Sequence, residues 1–160
     1  CLAAGISVAR VTQPYRVAGR KAPPAAGTLD QAWRAVIEAL GRRRGLAGQR
    51  FVFGGRSSGA RVACRTAADP ELRPAACAVV ALAFPVHPPG KPEKSRLPEL
   101  AAVPVPVLVV QGSADPFGMP PPGPGRQVVP VPGDHSLKRS AAELGPVVAR
   151  WIAETVPAAG

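Results

Sequence analysis

Three residues of this chain have the types needed for nucleophilic acyl transfer: Ser57, Asp115 and His135. Ser57 is the centre of Gly55-x-Ser57-x-Gly59, between the apolar run Phe51-Val52-Phe53 and an Ala/Val/Cys run at helical spacing. That context predicts a strand, a sharp turn and a helix, with the serine at the apex and its hydroxyl above the sheet edge. Small residues two places to either side let strand and helix pass without a Cβ clash. A serine hydroxyl is a weak nucleophile. It needs a base to take its proton, and the base needs a carboxylate to orient it and stabilise its charge. His135 and Asp115 supply those types. Asp134 is the second candidate acid, but it directly precedes His135 and is expected to point away.

Other readings of the glycine-rich stretch fit less well. A phosphate-binding loop needs Lys-Ser/Thr after its second glycine, where Ala60-Arg61 stands. The dinucleotide fingerprint G-x-G-x-x-G is absent. The remaining alternative is a glycine-rich turn with incidental serines, and the surrounding elements argue against it.

Those elements alternate. Cys1 to Gly5 reads as the last turn of a helix with a glycine stop, and Gly5 to Val11 as a strand. After a Pro-rich loop, Thr28-Leu29-Asp30-Gln31 has the form of a capping box with Thr28 as N-cap. Leu29, Trp33, Val36, Ile37 and Leu40 mark one helical face, closed by Gly41. Arg50 to Phe53 leads into the serine turn and Ser57 to Ala68 forms the helix out, broken by Asp69-Pro70. Ala75 to Phe84 and Val105 to Val110 read as strands buried on both faces, with Pro106 near the start of the second. Leu97 to Ala102 is a helical turn and Arg126 to Val131 a shorter strand. Ser140-Ala141-Ala142-Glu143 is a second capping box, opening a terminal amphipathic helix through Leu144, Val147, Val148, Trp151 and Ile152; Pro146 is the alternative first turn. Such alternation predicts an α/β fold with a mostly parallel sheet. Ligands of these sheets sit above the strand C-termini. Ser57, the loop with His87, Asp115 and His135 each follow a strand, so they are expected at one edge, in the chain order Ser, Asp, His.

With 160 residues, one domain spanning the chain is expected. Apolar residues make up 46% but aromatics only 4%, so the core is built from small side chains. No apolar run reaches the length of a membrane span. Residues 1–65 hold twelve Arg/Lys and two Asp/Glu, yet the cations are scattered apart from Arg42-Arg43-Arg44 at a predicted helix end. With little aromatic surface for stacking, this argues against a nucleic-acid partner. Cys1, Cys64 and Cys77 form neither a disulfide framework nor a zinc site. Cys64 and Cys77 read as buried thiols in a reducing, cytoplasmic setting.

Four stretches carry a family resemblance. Gly54-Gly55-Arg56-Ser57-Ser58-Gly59-Ala60-Arg61 resembles the G-G-K/R-S-M-G-G-R turn of α/β-hydrolase-like proteins of the testis-expressed and NSL-complex-subunit-3-like type, whose bacterial members are dienelactone-hydrolase-like. Phe84 to Lys94 resembles their Y-P-F/L-H-P-P-G-K/R-P-E-K loop, Gln111 to Gly118 their Q-G-x-x-D-P-F-G loop, and Gly133 to Lys138 their G-D-H-S-F/L-K loop. The resemblance implies a three-layer α/β-hydrolase-like fold acting on a small ester, thioester or lactone, with no cofactor and no metal. It implies Ser57 as nucleophile, Asp115 as acid and His135 as base. The Ser58 N–H is the expected oxyanion donor, Phe117 is expected to line the substrate, and His87 to line the substrate pocket or hold its own loop rather than ligate a metal.

Three departures stand out. Ser58 replaces the usual Met. Asp115 and His135 lie only twenty residues apart, with Pro120-Pro121-Pro122-Gly123-Pro124-Gly125 where a helix is usual. The opening strand and the H-G-A-G-type oxyanion loop are missing, so the chain is expected to be an N-terminally truncated piece, impaired in catalysis as it stands. A catalytically impaired interaction domain of the same fold is the alternative function.

Overall fold

The computed structural model describes residues 1–156. Strands β1 (Phe51–Arg56), β2 (Ala76–Leu82), β3 (Val107–Gly112) and β4 (Arg126–Val131) form one parallel sheet in the order β1-β2-β3-β4. The α-helices are α1 (Pro14–Val17), α2 (Ala26–Gly41), α3 (Ser58–Ala67), α4 (Leu97–Ala101) and α5 (Ala141–Thr155), with short 3-10 turns at Leu2–Ala4, Arg44–Leu46 and Lys138–Ser140. Successive side chains of a strand point to opposite faces. Val107 and Val109 of β3 therefore join Phe53, Val79 and Ala81 beneath Ile37 of α2 and Ala60, Ala63 and Cys64 of α3. Leu108 and Val110 turn the other way, with Ala78 and Val80, onto Val148 and Trp151 of α5. The result is a three-layer α/β fold whose central strands are apolar on both faces. The small residues of α3 let that helix sit close on the sheet.

Several elements differ from expectation. Residues 6–11 form no strand, and Val8 is exposed. A strand needs a partner ladder, and the apolar alternation of this short stretch finds none among the described residues. The preceding glycine stop is present: a short 3-10 turn over Leu2–Ala4 ends at Gly5 with φ of 72°. Helix α2 begins before Thr28, at Ala26, with Ala25 as an N-cap that makes no side-chain bond. It starts as soon as Pro23-Pro24 releases the backbone, which leaves Thr28 inside the first turn. Gly41 does end α2, but as its last helical residue rather than a left-handed stop; a Cβ there would lie 2.5 Å from Pro74 Cδ, so close packing explains the glycine. Ser140 is the N-cap of α5 without capping it, because its hydroxyl donates to Pro132 O at 2.8 Å. Pro146 lies inside α5, not at its first turn, and leaves the exposed Ala142 carbonyl without its helical donor. β1 runs on through both glycines to Arg56, and β3 starts only after Pro106. Cys64 is buried, and burial pushes its thiol up to about 12, whereas Cys77 is only half-buried.

Helix α3 carries the serine turn, and ion pairs anchor its outer face. Arg61 pairs with Glu99 of α4, its Nε donating to Oε2 at 2.8 Å. Arg65 donates to Glu99 at 3.0 Å and, through two nitrogens, to Asp30 of α2 at 2.8 and 2.6 Å. Burial pushes the Glu99 carboxyl up, but the bonds and charges of Arg61 and Arg65 outweigh it and hold it below its ordinary value. A carboxylate depressed in this way stabilises the fold above its unfolded-state pKa, and that contribution disappears as pH falls through the lowered folded value. Glu99→Gln is therefore expected to cost about 1 kcal/mol or less at pH 7, since the pair is partly solvated. The difference from wild type should shrink as pH falls below the ordinary glutamate range of about 4.3 and close only beneath the lowered folded-state value, where both forms are neutral. Thermal melts of the two proteins across pH 3–7 measure this.

Candidate active site

The C-terminal ends of β1, β3 and β4 each present one polar side chain to a common edge. At the end of β1 the backbone turns through Ser57, which has φ of 55° and ψ of −115°. That left-handed region is unfavourable for a residue with a Cβ, and it is held here by the Ser57 N–H donating to Leu82 O at 2.9 Å. Gly55 is essential to the turn: a Cβ there would lie 2.5 Å from the Gly59 carbonyl carbon. The second glycine is not needed for the same reason, because a Cβ on Gly59 would meet nothing within 4 Å. Ser58 opens α3, so its N–H is one of the first-turn amides that have no intrahelical partner.

His135 and Asp115 meet this serine in a continuous hydrogen-bonded chain. Ser57 Oγ lies 2.8 Å from His135 Nε2, and His135 Nδ1 lies 2.9 Å from Asp115 Oδ2. A carboxylate only accepts, so Nδ1 carries the proton and Nε2 of the neutral ring is free to accept from the serine hydroxyl. The Asp115 side chain is 1% exposed and that of His135 21%. Phe117 stacks on the imidazole, with ring centroids 4.1 Å apart and planes at 30°. Asp134 turns away from His135: its Oδ1 accepts from the Ser136 N–H and hydroxyl at 2.9 and 2.6 Å, and these bonds hold its carboxyl below the usual range. His87 touches none of the three by hydrogen bond. Its Nδ1 donates to Pro88 O at 2.9 Å, its backbone N–H donates to Phe117 O at 3.1 Å, and its Nε2 faces Gly118.

Residues 116–125 cross from Asp115 to β4 without a helix. What brings the histidine loop back to the sheet edge is a set of contacts that motif reading missed. Gly112 ends β3 directly under that loop: a Cβ there would sit 2.5 Å from Asp134 O and 2.7 Å from Gly133 O. Arg56, at the turn itself, donates to Ser136 O at 3.2 Å. Gln111 is fully buried and donates to Asp115 Oδ2 at 2.8 Å. A glutamine inside an otherwise apolar strand, four residues before an acid, was the available signal. Gly112→Ala is expected to push the His135 loop outward and destabilise the fold by about 1–3 kcal/mol. A melting temperature and a rate of serine labelling both equal to wild type would contradict that.

Two clefts lie away from these residues. One of about 550 Å³ is lined by Gly41, Phe51, Arg73 and Pro74, near the start of β1; another of about 280 Å³ lies between Tyr15 and Leu29. Among the described residues, no three His, Cys, Asp or Glu side chains gather as metal ligands. No helix among them is long and apolar enough to cross a membrane.

The sequence pattern of the alpha/beta hydrolase domain matches residues 1–143. The chain belongs to the alpha/beta hydrolase domain family. Among solved structures, a dienelactone hydrolase from Anabaena variabilis superposes with a TM-score of 0.60 at 17% identity, over 81% of this chain and 61% of that one. This chain thus spans less than two thirds of that hydrolase. An E-2-(acetamidomethylene)succinate hydrolase superposes with a TM-score of 0.54 at 17% identity, over 86% of this chain and 75% of the other. At this identity the likeness to both is one of fold. No curated protein matches the sequence significantly. Ser57, Asp115 and His135 follow the C-termini of β1, β3 and β4, the edge at which open α/β sheets bind ligands.

Proposed function

We propose that this chain is a serine hydrolase acting on an ester, thioester or lactone by Ser-His-Asp acyl transfer. The observation that carries the reading is the bonded chain from Ser57 Oγ through His135 to Asp115, at 2.8 and 2.9 Å, with the serine on a strained strand-to-helix turn. Ser57 Oγ attacks the substrate carbonyl carbon while His135 Nε2 takes its proton. Asp115 holds the Nδ1–H and stabilises the imidazolium. The negative oxygen of the tetrahedral intermediate rests against the Ser58 N–H, and one such donor is typically worth on the order of 10²–10³ in kcat. The carbon–oxygen or carbon–sulfur bond then breaks, and the leaving group takes the proton from His135. Water, deprotonated by the same ring, releases the acyl group from Ser57. Phe117 on the imidazole and His87 beside Gly118 line the approach.

The four motif stretches support assigning it, within this family, to the testis-expressed and NSL-complex-subunit-3-like type. The free thiols of Cys1, Cys64 and Cys77 fit a cytoplasmic setting. A fluorophosphonate probe tests the reading directly. It should label wild-type protein at Ser57 and leave Ser57→Ala unlabelled. Absence of labelling on folded wild-type protein would reject the serine-hydrolase reading.

A further inference from the structure

We propose that Gln111 is a positioning residue for the triad acid, its side-chain amide donating to Asp115 and fixing the carboxylate that faces His135. The proposal builds on the serine-hydrolase reading above. Gln111 is 0% exposed near the end of β3, among valines and Leu108. Its Nε2 lies 2.8 Å from Asp115 Oδ2, 2.9 Å from Gly118 O and 3.1 Å from Phe84 O. All three are acceptors only, so the nitrogen end of the amide must face them. Its Oε1 is buried without a hydrogen-bond partner. An orphaned buried carbonyl is a cost that an apolar side chain of the same size would avoid. The NH₂ group is therefore what this position uses.

Two N–H bonds serve three acceptors, so at least one is shared. Through them Gln111 ties together the segment just after β2, the acid and the far side of the acid loop. Asp115 Oδ1 accepts from the Phe117 N–H at 2.9 Å, while Oδ2 is shared between Gln111 and His135. Every oxygen of the carboxylate is thereby oriented. The groups bonded to it are His135, Gln111 and the Phe117 amide, and Asp134 is the other acid near the ring. Donation from Gln111 also draws charge from the same oxygen that holds His135 Nδ1. Its loss should loosen the acid and leave more negative charge facing the imidazole.

Two variants and a substrate-free readout test this. The chain has only two histidines, so the His135 ring titration can be followed by NMR, with His87→Gln assigning the signals. In Gln111→Met the His135 midpoint should rise by about 0.5–1 unit. Its kcat on p-nitrophenyl acetate should fall roughly 10- to 100-fold with KM little changed, as for loss of a hydrogen bond to a charged group. Gln111→Glu keeps the shape but carries one donor at most, and only while protonated. Its rate should fall further as pH rises, because the second carboxylate ionises beside Asp115. A His135 midpoint that stays or falls in Gln111→Met overturns the proposal, even if both variants lose rate by a uniform factor at every pH. Should Gln111→Met fail to fold, the wild-type Gln111 side-chain amide signals decide: they should move in Asp115→Asn and not in Asp134→Asn, and signals unmoved by Asp115→Asn overturn the proposal. The midpoint needs no turnover, so it separates this proposal from the serine-hydrolase reading, which stands or falls on Ser57 labelling.

Discussion

Ser57→Ala is expected to lower kcat on p-nitrophenyl acetate by about 10⁴–10⁶-fold, the range seen when an acyl-forming serine is removed. The fold should survive the change. Ser57 Oγ bonds to His135 alone, and the backbone bond that holds the turn, Ser57 N–H to Leu82 O, is kept. Alanine meets the same positive φ that serine already tolerates. Losing one partly exposed hydrogen bond costs about 1 kcal/mol, so the melt should shift by only a few degrees. Ser58→Ala is the matched control. It retains the backbone N–H proposed for the oxyanion, so its turnover should stay near wild type. If Ser58→Ala abolished turnover and Ser57→Ala did not, the nucleophile would be the wrong serine.

How much of this site could be read beforehand depends on what kind of interaction places each residue. Ser57 was legible because its environment is local: an apolar strand, two glycines and an Ala-rich helix within a short stretch. The alternation of buried strands with amphipathic helices was legible for the same reason, and it put Asp115 and His135 at strand ends. Long-range backbone approaches were not legible. Nothing near Gly112 in sequence announces that the Asp134 carbonyl passes 2.5 Å from where its Cβ would be. Gln111 falls within a motif whose pattern says nothing of its partners, although a polar side chain inside an apolar strand must find them. The strand expected over Gly5 to Val11 failed for a related reason. Apolar alternation states a preference, but a strand forms only beside another strand. The capping boxes failed because Pro24 upstream of α2 and Pro132 O beside Ser140 offered the chain other solutions.

Asp115→Asn is expected to lower kcat by about 10⁴-fold with the fold intact, because it forces His135 into the wrong tautomer. The argument rests on the three donors that converge on this carboxylate. The Phe117 N–H meets Oδ1, while Gln111 Nε2 and His135 Nδ1 meet Oδ2. An asparagine has one oxygen and one NH₂ for those places. With its NH₂ at the Oδ2 position, it faces two donors, and His135 can relieve the clash only by moving its proton to Nε2. An Nε2–H then points at Ser57 and cannot accept the hydroxyl proton. With the amide turned over, the NH₂ instead opposes the Phe117 N–H, and the acid loop loses one of its ties. The first arrangement disables the base, and the second misplaces the oxygen that orients it. An unsatisfied group here costs about 1–3 kcal/mol, which a folded domain can absorb. Asp134→Asn should do far less, because that carboxylate serves only the turn through Ser136. Measuring both variants on one ester separates the two acids. A wild-type rate in Asp115→Asn beside a large loss in Asp134→Asn would transfer the acid's role to Asp134, against the 2.9 Å bond that now links His135 to Asp115.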